Sequence, residues 1–187
     1  MNTKTSISEP NWHLLTAFSA AASPEPLRGW LTDKKSLTAR LKKLCDDNLS
    51  IELVSQQIQI PRPSEIQLFP EQRGKRFFVR DVILIGSGNP WVYARSIFPE
   101  ETMSGELSTL SQLGANPLGA WLFSQPSLYR GVMQIAMVQA EHVPALDPIL
   151  ASDSMWGRRS MFFVLGEPIL VTEIFLPRFK SDLEKLI

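Results

Sequence analysis

The sequence predicts an α+β fold, a single mainly antiparallel β-sheet flanked by helices. Three observations predict it. Leucines recur at helical spacing before residue 48 and again between residues 104 and 123, whereas the rest is dominated by strand-length apolar runs. Two pairs of such runs are joined by turn-forming stretches, Gly86-Ser87-Gly88-Asn89-Pro90 and Gly166-Glu167-Pro168, the mark of adjacent antiparallel strands. Finally, 187 residues with 44% hydrophobic and 20% charged side chains suffice for one core and a small-ligand pocket but are few for two domains. Residues 1–187 are therefore read as one domain, with an N-terminal arm over 1–23 and a C-terminal tail over 178–187.

The elements follow in order. Trp12 to Ala22 is moderately apolar and reads as a short helix or ordered arm. Pro24 and Pro26 open a helix carrying Leu27, Trp30 and Leu31, and Leu37, Leu41 and Leu44 at i, i+4, i+7 give a second. From Leu49 the period changes to a strand that ends at Pro61-Arg62-Pro63. Phe77 to Ile85 and Trp91 to Phe98 form a hairpin. Ser104 caps a helix through Gln112 that Gly114 stops, and Pro117 to Phe123 makes another short one. Ser127 to Val138 is a strand, and Gln139 to Ser154, polar and with Pro144 and Pro148, reads as an exposed connection. Met161 to Leu165 and Ile169 to Leu176 form the second hairpin, and Arg178 to Ile187 is a short helix or frayed.

Composition excludes several classes of function. Nineteen basic residues balance nineteen acidic ones, so no net field favours nucleic acid. No window approaches the roughly 18 consecutive apolar residues of a membrane span, and Glu9, Pro10 and His13 are out of place in a secretory signal. The single cysteine, Cys45, excludes an internal disulfide and fits a reducing cytoplasm. His13 and His142 lack ligand spacing, so no metal is expected. Gly86-x-Gly88 lacks the third glycine and the following helix of a dinucleotide site, and reads as a turn.

The informative anomaly is charge inside apolar strands. In Phe77-Phe78-Val79-Arg80-Asp81-Val82-Ile83-Leu84, alternation puts Arg80 on the face of Phe78, Val82 and Leu84. In Ile169-Leu170-Val171-Thr172-Glu173-Ile174-Phe175, it puts Glu173 with Ile169, Val171 and Phe175. An ion so placed costs several kcal/mol unless something compensates it. Either Arg80 pairs with Asp81 or Glu173 as a structural bridge, or the two clamp a ligand, an anion at Arg80 and a hydroxyl or moving proton at Glu173.

Several stretches taken together resemble the chorismate pyruvate-lyase (4-hydroxybenzoate synthase) family. They are Trp30-Leu31 with Ser36-Leu37-Thr38, Phe77-Phe78-Val79-Arg80, Asn89-Pro90-Trp91 with Ala94-Arg95, Leu113-Gly114, Pro117-Leu118-Gly119, Leu122-Phe123, Trp156-Gly157-Arg158-Arg159-Ser160 and Leu170 to Pro177. Their order spans about Leu27 to Pro177. The resemblance implies helical flaps closing over an internal pocket and a cofactor-free lyase that converts chorismate to 4-hydroxybenzoate and pyruvate for ubiquinone synthesis. It also implies a cytoplasmic monomer. Arg80 matches the arginine on the ring carboxylate, Glu173 the glutamate at the 4-hydroxyl, and Leu37 and Leu118 the flap positions whose backbone N–H groups touch the ligand. Leu37 departs from the methionine that can stand there in relatives, a change that a backbone contact tolerates. The 139–154 connection and the tail are longer than in relatives.

Chorismate has a second carboxylate, for which Arg95, Arg158 and Arg159 are candidates that the sequence does not rank. The alternative is a non-catalytic domain of the same general fold that binds an aromatic carboxylate, as in effector-sensing domains of transcription regulators. Those domains usually follow a helix-turn-helix, for which 23 residues are too few.

Overall fold

The computed structural model describes residues 8–103, 105–152 and 154–185. The strands are β1 (His13–Leu14), β2 (Leu49–Gln59), β3 (Phe77–Gly86), β4 (Asn89–Pro99), β5 (Tyr129–Val138), β6 (Met155–Val164) and β7 (Glu167–Phe175). They form one antiparallel sheet in the order β1-β5-β6-β7-β4-β3-β2. The α-helices are α1 (Ala17–Ala21), α2 (Arg28–Leu31), α3 (Leu37–Leu44), α4 (Pro63–Ile66), α5 (Leu118–Ser124) and α6 (Pro177–Lys185).

Both predicted hairpins form, with tighter turns than the sequence suggests. Ser87 and Gly88 have φ of 50° and 76°, and Leu165 and Gly166 have 54° and 85°. Two consecutive positive φ angles are the signature of a type I′ turn, which matches the twist of the strands it joins. Asn89-Pro90 and Glu167-Pro168 consequently belong to strands, and Pro90 is accommodated where a bulge shifts the β3–β4 register after Leu84. Strands β3 and β4 are buried on both faces, which is why they read as unbroken apolar runs.

One face of the sheet carries two apolar clusters with a gap between them. At one end Trp30, Leu31, Leu41, Phe175 and Phe179 pack together with Leu84 and Val92. At the other, Leu107, Leu110 and Leu122 pack on Phe78, Phe98 and Phe162. Helix α3 is set by Ser36, whose Oγ accepts from the Ala39 N–H at 3.3 Å, and it buries Leu37, Thr38 and Leu41. Helices α3 and α5 cover the gap.

Two sequence expectations need correction. Gly105–Gln112 is a 3-10 helix, not an α-helix; leucines at 107, 110 and 113 recur every three residues, the 3-10 period. The proposed cap Ser104 lies outside the described residues. The 139–154 connection is not an exposed excursion, because Val143 and Leu146 join the core on the opposite sheet face. His142 is buried in it and its Nδ1 accepts from the Gln139 N–H at 3.0 Å. The tail is helix α6, with Phe179 and Leu183 one turn apart and buried. The arm adds strand β1 beside β5, and Thr16 caps α1 by accepting from the Ser19 N–H.

Candidate active site

The gap under the flaps is a cavity of about 40 Å³, lined by Leu37, Arg80, Leu118 and Glu173 together with Arg130 and Arg158. All four residues singled out from the sequence therefore meet at one place, although they come from α3, β3, α5 and β7. Strand parity explains it. Arg80, Val82 and Leu84 of β3, Ala94 and Ser96 of β4, and Val171 and Glu173 of β7 all face the cavity.

Arg80 is 2% exposed. Its Nε and Nη2 donate to the Gly114 carbonyl at 3.0 and 2.7 Å, and Nη2 also to the Asn116 carbonyl at 2.8 Å. These bonds strap the stem of α5 to the sheet. They use three of the five N–H groups of a guanidinium and leave both on Nη1. Among the described residues no carboxylate opposes Arg80, and burial pushes its guanidinium below the ordinary range. Neither form of the predicted structural bridge exists. Asp81 points to the other sheet face, where it accepts from Arg95 at 3.1 Å, Tyr93 at 2.6 Å and Ser55 at 2.8 Å.

Glu173 is paired, but with Arg158. The two are cross-strand neighbours in β6 and β7, and Arg158 Nε donates to Glu173 Oε2 at 2.6 Å. Arg158, 1% exposed, also donates from Nη1 to the carbonyls of Trp30 and Asp33 at 2.6 Å each. It thus straps the stem of α3 as Arg80 straps that of α5.

Leu37 and Leu118 are the first residues of their helices, so their N–H groups have no carbonyl within the helix to donate to. The helices meet closely: a Cβ on Gly119 would lie 2.8 Å from Thr38 Oγ1. A methyl there fits only if Thr38 or one of the helices shifts, a constraint of contact and not of backbone angle.

The other arginines named from the sequence separate by face. Arg95 is sealed behind the sheet against Glu65 at 2.7 Å and Asp81. Burial alone would lower its proton affinity, but those two carboxylates raise it instead. Arg159 faces the same way, donating to Gln134 at 2.7 Å and stacking on Trp12. Arg130 lines the cavity and was not singled out from the sequence. A bulge between Arg130 and Met133 breaks the alternation of β5, so parity counted along the chain does not place it.

Comparison with known proteins supplies independent information. The sequence pattern of the family described as chorismate lyase matches residues 11–183. A probable chorismate pyruvate-lyase of Aromatoleum aromaticum is 36% identical over 160 residues, covering 82% of this chain and 86% of the relative. The chorismate pyruvate-lyase of Pectobacterium carotovorum is 33% identical over 157 residues, covering 82% and 78%. Among solved structures, PhnF from Mycobacterium smegmatis superposes with a TM-score of 0.54 at 12% identity, covering 79% of this chain and 66% of that one.

Proposed function

The chain belongs to the chorismate lyase family and converts chorismate to 4-hydroxybenzoate and pyruvate, and we propose that Arg80, Leu37, Leu118 and Glu173 divide the work of that conversion. Arg80 holds the ring carboxylate through its two remaining N–H groups, and the backbone N–H groups of Leu37 and Leu118 complete the grip. Glu173 accepts the ring hydroxyl at the far end of the cavity. The observation that carries this reading is a buried arginine facing a cavity, with no carboxylate opposite it among the described residues. Such a site favours an anionic ligand.

The reaction is an internal elimination. The ring carbon bearing the hydroxyl loses its proton, the neighbouring carbon–oxygen ether bond breaks, and the electron pair completes the aromatic ring. The departing enolpyruvate gains a proton at its methylene carbon and becomes pyruvate. The balance requires no oxidant, no hydride carrier and no added water. The protein's part is to orient the ring, neutralise its charge and receive the proton at Glu173. Arg158, fixed on Glu173, aims that carboxylate.

The same reading places the reaction in the cytoplasm, in a single-domain monomer that feeds ubiquinone synthesis. The helices over the cavity, α3 and α5, belong to the same chain as the sheet beneath it, and Cys45 is a free thiol. Among the described residues no helix is long and apolar enough to cross a membrane. The alternative, a domain that binds an aromatic carboxylate without changing it, has only a shared fold behind it.

The test is incubation with chorismate in chelator-treated buffer, following both products, for wild type and Arg80→Ala. Equimolar products, with kcat/KM about a hundredfold lower in the variant, support the assignment. Binding of 4-hydroxybenzoate without turnover by wild type overturns it in favour of the sensing alternative.

A further inference from the structure

Four arginines stand on or near the sheet with a claim on the second carboxylate of chorismate, the one that leaves with pyruvate. Arg95 and Arg159 are removed by the face they occupy. Arg158 already has a carboxylate, Glu173, at 2.6 Å. Arg130 has none. Its Nε and Nη2 donate to Ser160 Oγ at 3.2 and 3.0 Å, and Nη1 donates to the Lys34 carbonyl at 2.7 Å. One N–H on each terminal nitrogen is left over, enough for a two-point contact with a carboxylate.

From these bonds we infer that Arg130 binds the enolpyruvyl carboxylate and thereby distinguishes substrate from product. The inference rests on the lyase reading of the same cavity. Three observations support it. The guanidinium lines the cavity and lies over the Phe162 ring, 4.9 Å from its centre, which fixes its plane. Its place agrees with the chemistry of chorismate, whose ether-bearing ring carbon adjoins the hydroxyl-bearing one. The departing carboxylate must therefore lie toward Glu173, whose charge Arg130 feels along with those of Arg158 and Asp33. Burial and the repulsion of Arg158 push the guanidinium down to about 10, and the charges of Glu173 and Asp33 offset that only in part. A ligand carboxylate would relieve that cost. Lys35, exposed at the cavity rim, adds positive charge where a dianion enters.

The two ligands provide the test, because 4-hydroxybenzoate lacks the carboxylate in question. Arg130→Met should raise the KM for chorismate about tenfold to a hundredfold. Its affinity for 4-hydroxybenzoate, titrated by fluorescence, should stay within about twofold of wild type. Arg130→Lys should recover part of the KM. A merely structural role would weaken both ligands together, and that outcome overturns the inference, as does an unchanged KM. If Arg130→Met does not fold, Arg130→Lys gives the same split on a smaller scale. A wild type inert toward chorismate overturns the lyase reading and this inference with it. An active wild type whose Arg130 variants bind chorismate normally overturns the inference alone.

Discussion

Arg158 and Glu173 face each other across β6 and β7 with 2.6 Å between Nε and Oε2, and the same guanidinium holds the backbone of Trp30 and Asp33. Glu173 is therefore mechanically joined to the stem of α3. Closure of α3 and alignment of Glu173 are one event, which fits a reaction that must exclude water before it begins.

Glu173→Gln keeps the shape and hydrogen-bonding capacity of the side chain but removes the proton acceptor. If Glu173 receives the ring proton, kcat should fall by about 10²-fold or more, with 4-hydroxybenzoate still bound. Steady-state kinetics with a product-binding titration reads both. Near-normal kcat would mean that the proton passes within the substrate and Glu173 only positions the ring.

Gly119→Ala would place a methyl 2.8 Å from Thr38 Oγ1 where the flaps meet. We expect the flaps to part and product to leave faster. In wild type, release from under closed flaps should limit turnover, so mixing with excess chorismate should give a burst of 4-hydroxybenzoate in the first turnover. In the variant the burst should shrink. Trp121, on α5, is a fluorescent reporter placed within the moving element. A burst of equal size in both proteins would show that this contact does not control release.

The α3 stem also carries a pH response. Burial of Asp33 works against its ionisation, but the Lys35 N–H and the Arg40 and Arg158 charges prevail and lower its proton affinity. A carboxyl lowered on folding adds stability that is complete above its ordinary value of 3.8 and is lost as pH falls through the lower folded value. Acid unfolding should therefore be partly driven by Asp33, and Asp33→Asn should flatten the slope of stability against pH below about pH 4. A parallel slope in the variant would contradict the assignment.

Helix α6 is anchored by Phe179, which meets Trp30 at 4.9 Å, Phe175 at 5.4 Å and Trp91 at 5.5 Å. Phe179→Ala should cost about 3–5 kcal/mol in chemical denaturation, the usual range for emptying a buried phenylalanine site. A loss below about 1 kcal/mol would mean that α6 docks by other contacts.

How much of this was legible in the sequence depended on whether a local rule decided it. Arg80 and Glu173 could be placed on apolar faces because each strand is regular around them and parity holds. Arg130 escaped because a bulge cancels parity in β5. The straps formed by Arg80 and Arg158 escaped for a different reason: their acceptors are backbone carbonyls 34 and 125 or more residues away, and a carbonyl has no residue-type signature. The 3-10 helix was misread because leucines three apart satisfy both helical periods. The 139–154 connection was misread because its prolines and charges outweighed the few apolar residues that anchor it.

The alternation of side chains across the sheet has one more consequence. Arg80 precedes Asp81, Arg158 precedes Arg159 and Thr172 precedes Glu173, and in each pair the two residues serve opposite faces. Sliding β3 by one residue would aim Asp81 into the cavity and strand Arg80 away from the carbonyls it straps. Sliding β7 would take Glu173 from Arg158 and leave that arginine unanswered. Each misalignment leaves buried charge without a partner, at a cost of several kcal/mol. The charged groups that line the cavity therefore double as an alignment code for the strands, and the chain can satisfy its buried charges in only one threading of its own sheet.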